Sequence, residues 1–325
     1  MLAFLSKRIA LLAFTMLVVS ALVFAAFEFT PGQVARKVLG PFATQDQVDR
    51  LTEEMGLNRP VVVRYGEWLG NTLSGDLGYS TLYKTDVNKI IGDRLQNTLL
   101  LAGVAFAIIV PLSILLGISA GMREGSFLDR SISVASIVTT SVPEFASGVF
   151  LASIFVIWLG WLPGTSPLDT GAGWSIWQQL VLPVCVMVLY DLGYVVRMVR
   201  ASMVEVMTRP YIRTAILKGM RFRTVILKHA LRNAMIAPFT VILLQLNYLV
   251  TGVVVVEAVF AYPGFGRMLL EAALAQDVAV VEAGALFAVL ISVFTQIAGD
   301  LGYMMLNHAF AFLKGHSLEG RGGHG

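Results

Sequence analysis

Charge is scarce in this sequence. Lys, Arg, Asp and Glu together make up 14% of its 325 residues, where a soluble domain carries about a quarter. That scarcity argues against an ordinary pair of water-soluble domains. Cysteine is almost absent as well. Cys185 stands alone in an apolar run, which excludes an internal disulfide and leaves no cysteine cluster for metal or redox chemistry. The chain has no Gly-Lys pair, so it lacks the G-x-x-x-x-G-K-[ST] loop that cradles nucleotide phosphates. No Ser/His/Asp or zinc-ligand grouping appears, and neither does an internal repeat. The tail histidines His308, His316 and His324 lie eight residues apart. They read as part of an unstructured polar end rather than as a metal site.

What is abundant is apolar sequence: 56% of residues are hydrophobic and the mean hydropathy is +0.74. A membrane helix needs about 20 mostly apolar residues to cross roughly 30 Å of hydrocarbon. Six stretches qualify: Ile9–Phe27, Thr98–Gly121, Ile132–Gly160, Leu180–Met198, Met235–Val256 and Ala283–Leu306. Length separates helix from strand in such runs, and in lipid only helices and closed barrels satisfy their own backbone. The first stretch follows Lys7–Arg8 like a signal peptide. Its 19 apolar-rich residues exceed the roughly 7–15 of a signal core, so it reads as a retained helix. The expected fold is an all-α polytopic membrane protein of six transmembrane helices.

Basic residues orient these helices. Lys7 and Arg8 precede the first, and Arg123 and Arg130 bracket the link after the second. The link between the fourth and fifth holds Arg197, Arg200, Arg209, Arg213, Lys218, Arg221, Arg223, Lys228 and Arg232 against one acid, Glu205. On the other side, Leu162–Gln179 has no basic residue, and Phe260–Glu282 sets Arg267 against three acids. Both termini are therefore expected in the cytoplasm. Trp158, Trp161, Trp174 and Trp177 fall on the opposite side, as an aromatic belt would. The expected domains are an N-terminal helix (1–27), an extracytoplasmic lobe (28–94), a five-helix core (95–306) with a cytoplasmic loop at 201–234, and a tail (307–325). The lobe is nearly charge-neutral, carries turn signals at Pro31–Gly32 and Gly75–Asp76, and is long enough for a small α/β unit.

The stretch Tyr211–Ala234, YIRTAILKGMRFRTVILKHALRNA, holds six Lys and Arg and no acid. Ile212, Ala215, Ile216 and Gly219 fall at helical spacing on one face. Pro210 suits a helix start. Gly219 either ends the helix or admits a close backbone, and a second helical pattern begins near Thr224. Two readings follow: a basic loop that sets topology and touches lipid headgroups, or a helix that docks in a partner's groove.

The pattern RTAILKG, nine residues, then HAL resembles the EAA loop of ATP-binding-cassette importer permeases. The whole stretch resembles the version in OppB/DppB-type membrane subunits of peptide and nickel importers, with Ala215, Lys218, Gly219, His229 and Asn233 at matching positions. FTPGQ, EEMGLNRPVVVRYGEWL, SGDLGYS, RLQNTLLL, SVPEF…WLGWLP, RASMVEVM and VVVEAVFAYPGFGRMLLEA are similar to that branch as well, from near residue 7 to about 303. The resemblance implies the type I importer permease fold in a bacterial inner membrane. It implies a homologous OppC/DppC-like second permease, one or two OppD/OppF-like ATPases, an OppA-like binding protein, the lipid bilayer and no nucleic acid as partners. Arg213, Thr214, Ala215, Lys218, Gly219, Met220, Arg221, His229 and Asn233 would couple to an ATPase, and ATP and Mg2+ would sit on that partner, leaving this chain a non-enzyme with no cofactor. Tyr262, Pro263, Gly264 and Phe265 would meet the binding protein. Three departures stand out: Arg213-Thr214-Ala215 in place of Glu-Ala-Ala, a tail without Asp-Pro-Arg, and Asp191 where the branch is usually apolar.

Ionisable groups at membrane depth are costly and mark cavities or partners. Glu144, Asp191 and Glu257 are candidates for a translocation path. Glu257 and Asp300 read more as structural pairs, whereas a lone Asp191 can attract a peptide amino terminus. A stand-alone secondary transporter or channel would need its own ion site at a broken helix, for which Glu144 after Pro143 is the candidate. A non-transporting scaffold gives no reason for the glycine-centred loop. Oligopeptides are the expected cargo, ahead of dipeptides and nickel.

Overall fold

The computed structural model of the chain describes residues 2–28, 39–40, 42–54, 56, 58–169, 171, 173–251 and 253–319. Long apolar runs fold as helices because a helix closes its own backbone hydrogen bonds, and shorter helices join them. In order the helices are α1 (Leu2–Glu28), α2 (Gln45–Glu54), α3 (Val61–Leu73), α4 (Val87–Gly121), α5 (Phe127–Ser141) and α6 (Glu144–Ala152), which runs on as a π-helical turn, Ser153–Trp158. Then come α7 (Ile176–Met207), α8 (Pro210–Leu217), α9 (Phe222–Thr224), a second π-helical turn (Val225–Ala230), α10 (Leu231–Ala234), α11 (Ile236–Thr251), α12 (Val254–Val259), α13 (Phe265–Ala275) and α14 (Val278–Glu319). Among the described residues the strands are β1 (Tyr79–Ser80) and β2 (Thr85–Asp86), antiparallel, with Tyr79 opposite Asp86 and Ser80 opposite Thr85.

Among the described residues five segments are long and apolar enough to cross a membrane: Ile9–Ala26, Val87–Gly121, Ile176–Met207, Ile236–Val259 and Val278–Gly299. The pair Phe127–Ser141 and Glu144–Trp158 passes the same test together and makes a sixth if it is one span, but it is bent by 98°. The expected span Ile132–Gly160 is thus interrupted by a break. Proline lacks an N–H and pushes the residue before it out of helical geometry; Val142, ahead of Pro143, is extended at φ −88°, ψ 127°. Other bounds move outward. α4 starts at Val87 rather than Thr98, and α7 starts at Ile176, held by a capping box between Ser175 and Gln178. The expected unstructured tail is helical as far as Glu319. The side chains of Asp300, His308 and His316, the whole of His324, and all of FTPGQ with its Pro31–Gly32 turn lie outside the described residues.

The chain divides into two compact units, one of Met1–Thr98 with Pro263–Val293, the other of Leu99–Tyr262 with Phe294–Gly325. In the first, the described residues of the lobe expected as α/β form two helices and a minimal hairpin. Its core is Val87, Ile90 and Ile91 of α4 packed with Phe265, Met268 and Ala272 of α13 and Val280 and Ala283 of α14. Asp277 ties the hairpin to this core: its Oδ2 accepts from Ser80 Oγ at 2.6 Å and from the Leu82 amide at 2.9 Å. Tyr83 donates to Glu271 at 2.8 Å. Phe24 of α1 stacks with Tyr65 and Trp68 of α3.

In the second unit α7 is the central helix, packed by α5, α6 and α11. Small residues let membrane helices approach closely. A Cβ on Gly193 of α7 would stand 2.5 Å from the Ser136 carbonyl of α5, so only glycine fits there.

Candidate functional site

The basic link builds from a proline and a glycine. Arg209 is extended at the N-cap and Pro210 takes the first helical position of α8, where its missing N–H costs nothing. Gly219 ends the helix with φ +75°, the left-handed conformation that favours glycine. The Gly219 amide donates to the Ile216 carbonyl at 2.9 Å, and the Met220 amide to the Ala215 carbonyl at 3.3 Å. That is the two-bond Schellman closure of a helix C-terminus. A Cβ on Gly219 would meet nothing within 4 Å. Backbone geometry, rather than a close neighbour within the chain, requires the glycine.

Ile212 and Ala215 are buried, whereas Ile216 is 46% and Leu217 79% exposed. The single apolar face expected from spacing is therefore split: half holds α8 to the chain, and half is presented outward beside the exposed Arg213, Thr214, Lys218 and Arg221. The acid of the link, Glu205, is already paired with Arg209. Further along, the Asn233 amide donates to the His229 carbonyl at 2.9 Å and Asn233 also bonds the Tyr211 hydroxyl. Burial raises the Tyr211 pKa, with the Asn233 bond opposing it. His229 Nε2 is buried without a hydrogen-bond partner in the chain. The surface that results is apolar, cationic and ordered, and suits a partner with an apolar groove and acidic rim.

A second constellation lies within the helices of the same unit. Asp191 of α7 is 0% exposed. Its Oδ1 accepts from Gln245 Nε2 of α11, and its Oδ2 has no partner among the described residues. Glu144, the first residue of α6 after the break, is also buried and lies beside the Tyr248 hydroxyl. The two carboxyl groups lie close enough to act on each other electrostatically. Tyr190 stacks with Tyr248 at 6.0 Å and with Tyr194 at 5.9 Å between ring centres. The structure thus brings Glu144 and Asp191 together. Glu257 sits apart, buried near the end of α12 beside Tyr262.

The loop expected to meet a binding protein turns most of its side chains inward in the isolated chain. Tyr262 is 0% and Phe265 3% exposed, and Gly264 is buried. Large apolar side chains next to a tight turn fold inward, so Pro263, half-buried, is the residue that reaches the surface. The first unit does present a cleft of about 660 Å³ between the lobe and α13–α14, lined by Trp68, Asp76, Tyr79, Gln276 and Glu282 among others.

Counting basic residues alone missed one site. Arg200 forks onto Asp129 of α5, with Nη2 to Oδ2 at 2.7 Å, while the Gly125 amide donates to the same oxygen at 2.9 Å. Arg200 is therefore a packed ion pair rather than a free topogenic charge. The signal in the sequence was an acid, Asp129, in a link noticed only for its arginines.

Residues 113–310 match the family profile described as binding-protein-dependent transport system inner membrane component. Residues 1–102 match the N-terminal profile of such membrane components. A Brucella abortus (strain 2308) protein named for a peptide transport system permease is 38% identical over 306 residues, 93% of this chain and 97% of its own length. The glutathione transport system permease protein GsiC of Shigella flexneri serotype 5b (strain 8401) is 33% identical over 312 residues, 96% of this chain and 100% of its own length.

Proposed function

The chain belongs to the family of binding-protein-dependent transport system inner membrane components, and on that footing we propose that it forms half of a peptide-import pathway driven by separate ATPase subunits. The observation that carries the coupling part is the α8–Gly219 turn, with Ile216 and Leu217 exposed among cations. A helix-turn held to the chain on one side and presenting an apolar, basic surface on the other is what a docking element needs. ATP hydrolysis is assigned to partners because no phosphate-cradling loop exists here. A second, OppC/DppC-like permease would complete the pathway, with OppD/OppF-like ATPases below and an OppA-like binding protein outside. The basic link would face the cytoplasm and the lobe the exterior. Peptide cargo is supported by the names of the relatives, one of which is named for glutathione. Family membership disfavours the stand-alone transporter.

The test is purification of the tagged chain from its native membrane in mild detergent, with partners identified by mass spectrometry. A second permease and Walker-type ATPases should come down near one to one. Gly219→Asp, which forces a side chain into left-handed backbone at a cost of roughly 1–2 kcal/mol and places an acid among the cations, should release the ATPases. A chain recovered alone, or only with copies of itself, would refute the importer reading.

A further inference from the structure

Asp191 poses a problem the packing alone does not resolve. A carboxyl group at membrane depth is costly, and a buried acceptor normally finds its donor. Gln245 serves one oxygen of Asp191, and the other faces no donor at 0% exposure. A second carboxyl, Glu144, stands within electrostatic reach, at the start of a helix broken from its predecessor by 98°. Breaks of this kind recur at solute sites of membrane transporters because they place side chains and backbone ends on one spot. Tyr190 and Tyr248, with ring centres 6.0 Å apart, lie within electrostatic reach of both carboxyl groups, and aromatic faces add attraction for a cation. Arg197, further along the same helix, is already engaged: its guanidinium lies 5.3 Å from the Tyr194 ring centre, and its Nε donates to the Gly193 carbonyl at 3.2 Å. Two acids, one open oxygen and aromatic walls form a set that recognises an organic cation. Among the described residues no group of acids, histidines and cysteine suits a metal ion.

We propose that Asp191, with Glu144 and Tyr248, is a subsite for a primary ammonium group, namely the free amino terminus of the translocated peptide. The proposal rests on the peptide-import reading above. The subsite is closed in this conformation and is reached when α6, α7 and α11 part during transport.

The experiment is uptake of labelled trialanine and N-acetyl-trialanine by cells in which the variant chain replaces the native one. Asp191→Asn keeps the volume and an acceptor for Gln245, and replaces the open, charged oxygen with a neutral NH2 donor. It should lower trialanine uptake about tenfold, the loss expected of a charge-assisted hydrogen bond, with the amount of chain in the membrane and its melting temperature unchanged. Uptake of the acetylated peptide should change by less than about twofold, and Asp191→Glu should restore most of the trialanine rate. Unchanged trialanine uptake in Asp191→Asn, an equal proportional loss of both peptides, or a loss that tracks chain amount or melting temperature would overturn the subsite. Cells lacking the chain that still import trialanine at the wild-type rate would overturn the import reading itself, and the subsite with it.

Discussion

Asp129 and Arg200 show what a single pair does in this chain. The Asp129 side chain is 3% and the Arg200 side chain 28% exposed. The carboxylate also takes the Gly125 amide, and Ser126 accepts from the Asp129 amide at 3.2 Å. Arg200→Ala leaves that acid buried without its strongest donor, and solvent reaches the pair from the arginine side. The expected loss is about 1–3 kcal/mol, read as a lower melting temperature of the purified chain. Asp129→Asn with Arg200 intact should cost less, because the amide oxygen still accepts. Gly219 is different in kind: its side of the chain is open, so a substitution there strains the backbone without crowding a neighbour.

At the scale of elements, the hairpin β1–β2 has two residues in each strand, and a hairpin that short is not stable alone. Asp277 supplies what the ladder lacks by accepting from both Ser80 and Leu82. Asp277→Ala should therefore raise amide hydrogen exchange across residues 79–86 by about tenfold or more, with exchange in α7 unaffected. Equal acceleration in both places would mean global destabilisation instead. The broken pair α5–α6 is the counterpart among the spans. One proline turns a run of apolar residues into two helices, and this places Glu144 at a helix start, where a negative charge is favoured.

At the scale of the whole molecule, the unequal placement of Lys and Arg makes a directional claim. With Cys185→Ala as background, a cysteine at Lys218 should react with a membrane-impermeant maleimide only in inside-out vesicles, and one at Tyr79 only in intact spheroplasts. The opposite pattern would reverse the orientation, and with it the side on which ATPases dock. Lys218 and Tyr79 are both exposed in the isolated chain, so in membranes stripped of docked partner subunits a lack of reaction reports sidedness and not burial.

The sequence alone carried the spans, the helix–turn–helix of the basic link and the family, because each rests on local or one-dimensional signals: run length, proline and glycine positions, charge asymmetry and motif order. It did not carry the partnership of Glu144 with Asp191, which stand 47 positions apart on helices whose facing sides depend on rotation about their axes. Nor did it show that Tyr262 and Phe265 turn inward, or that Arg200 meets Asp129. In an all-apolar helix the hydrophobic pattern is nearly uniform around the circumference, so it gives no facing direction. Close contacts such as Gly193 against Ser136 select that direction, and they exist only once the helices are packed.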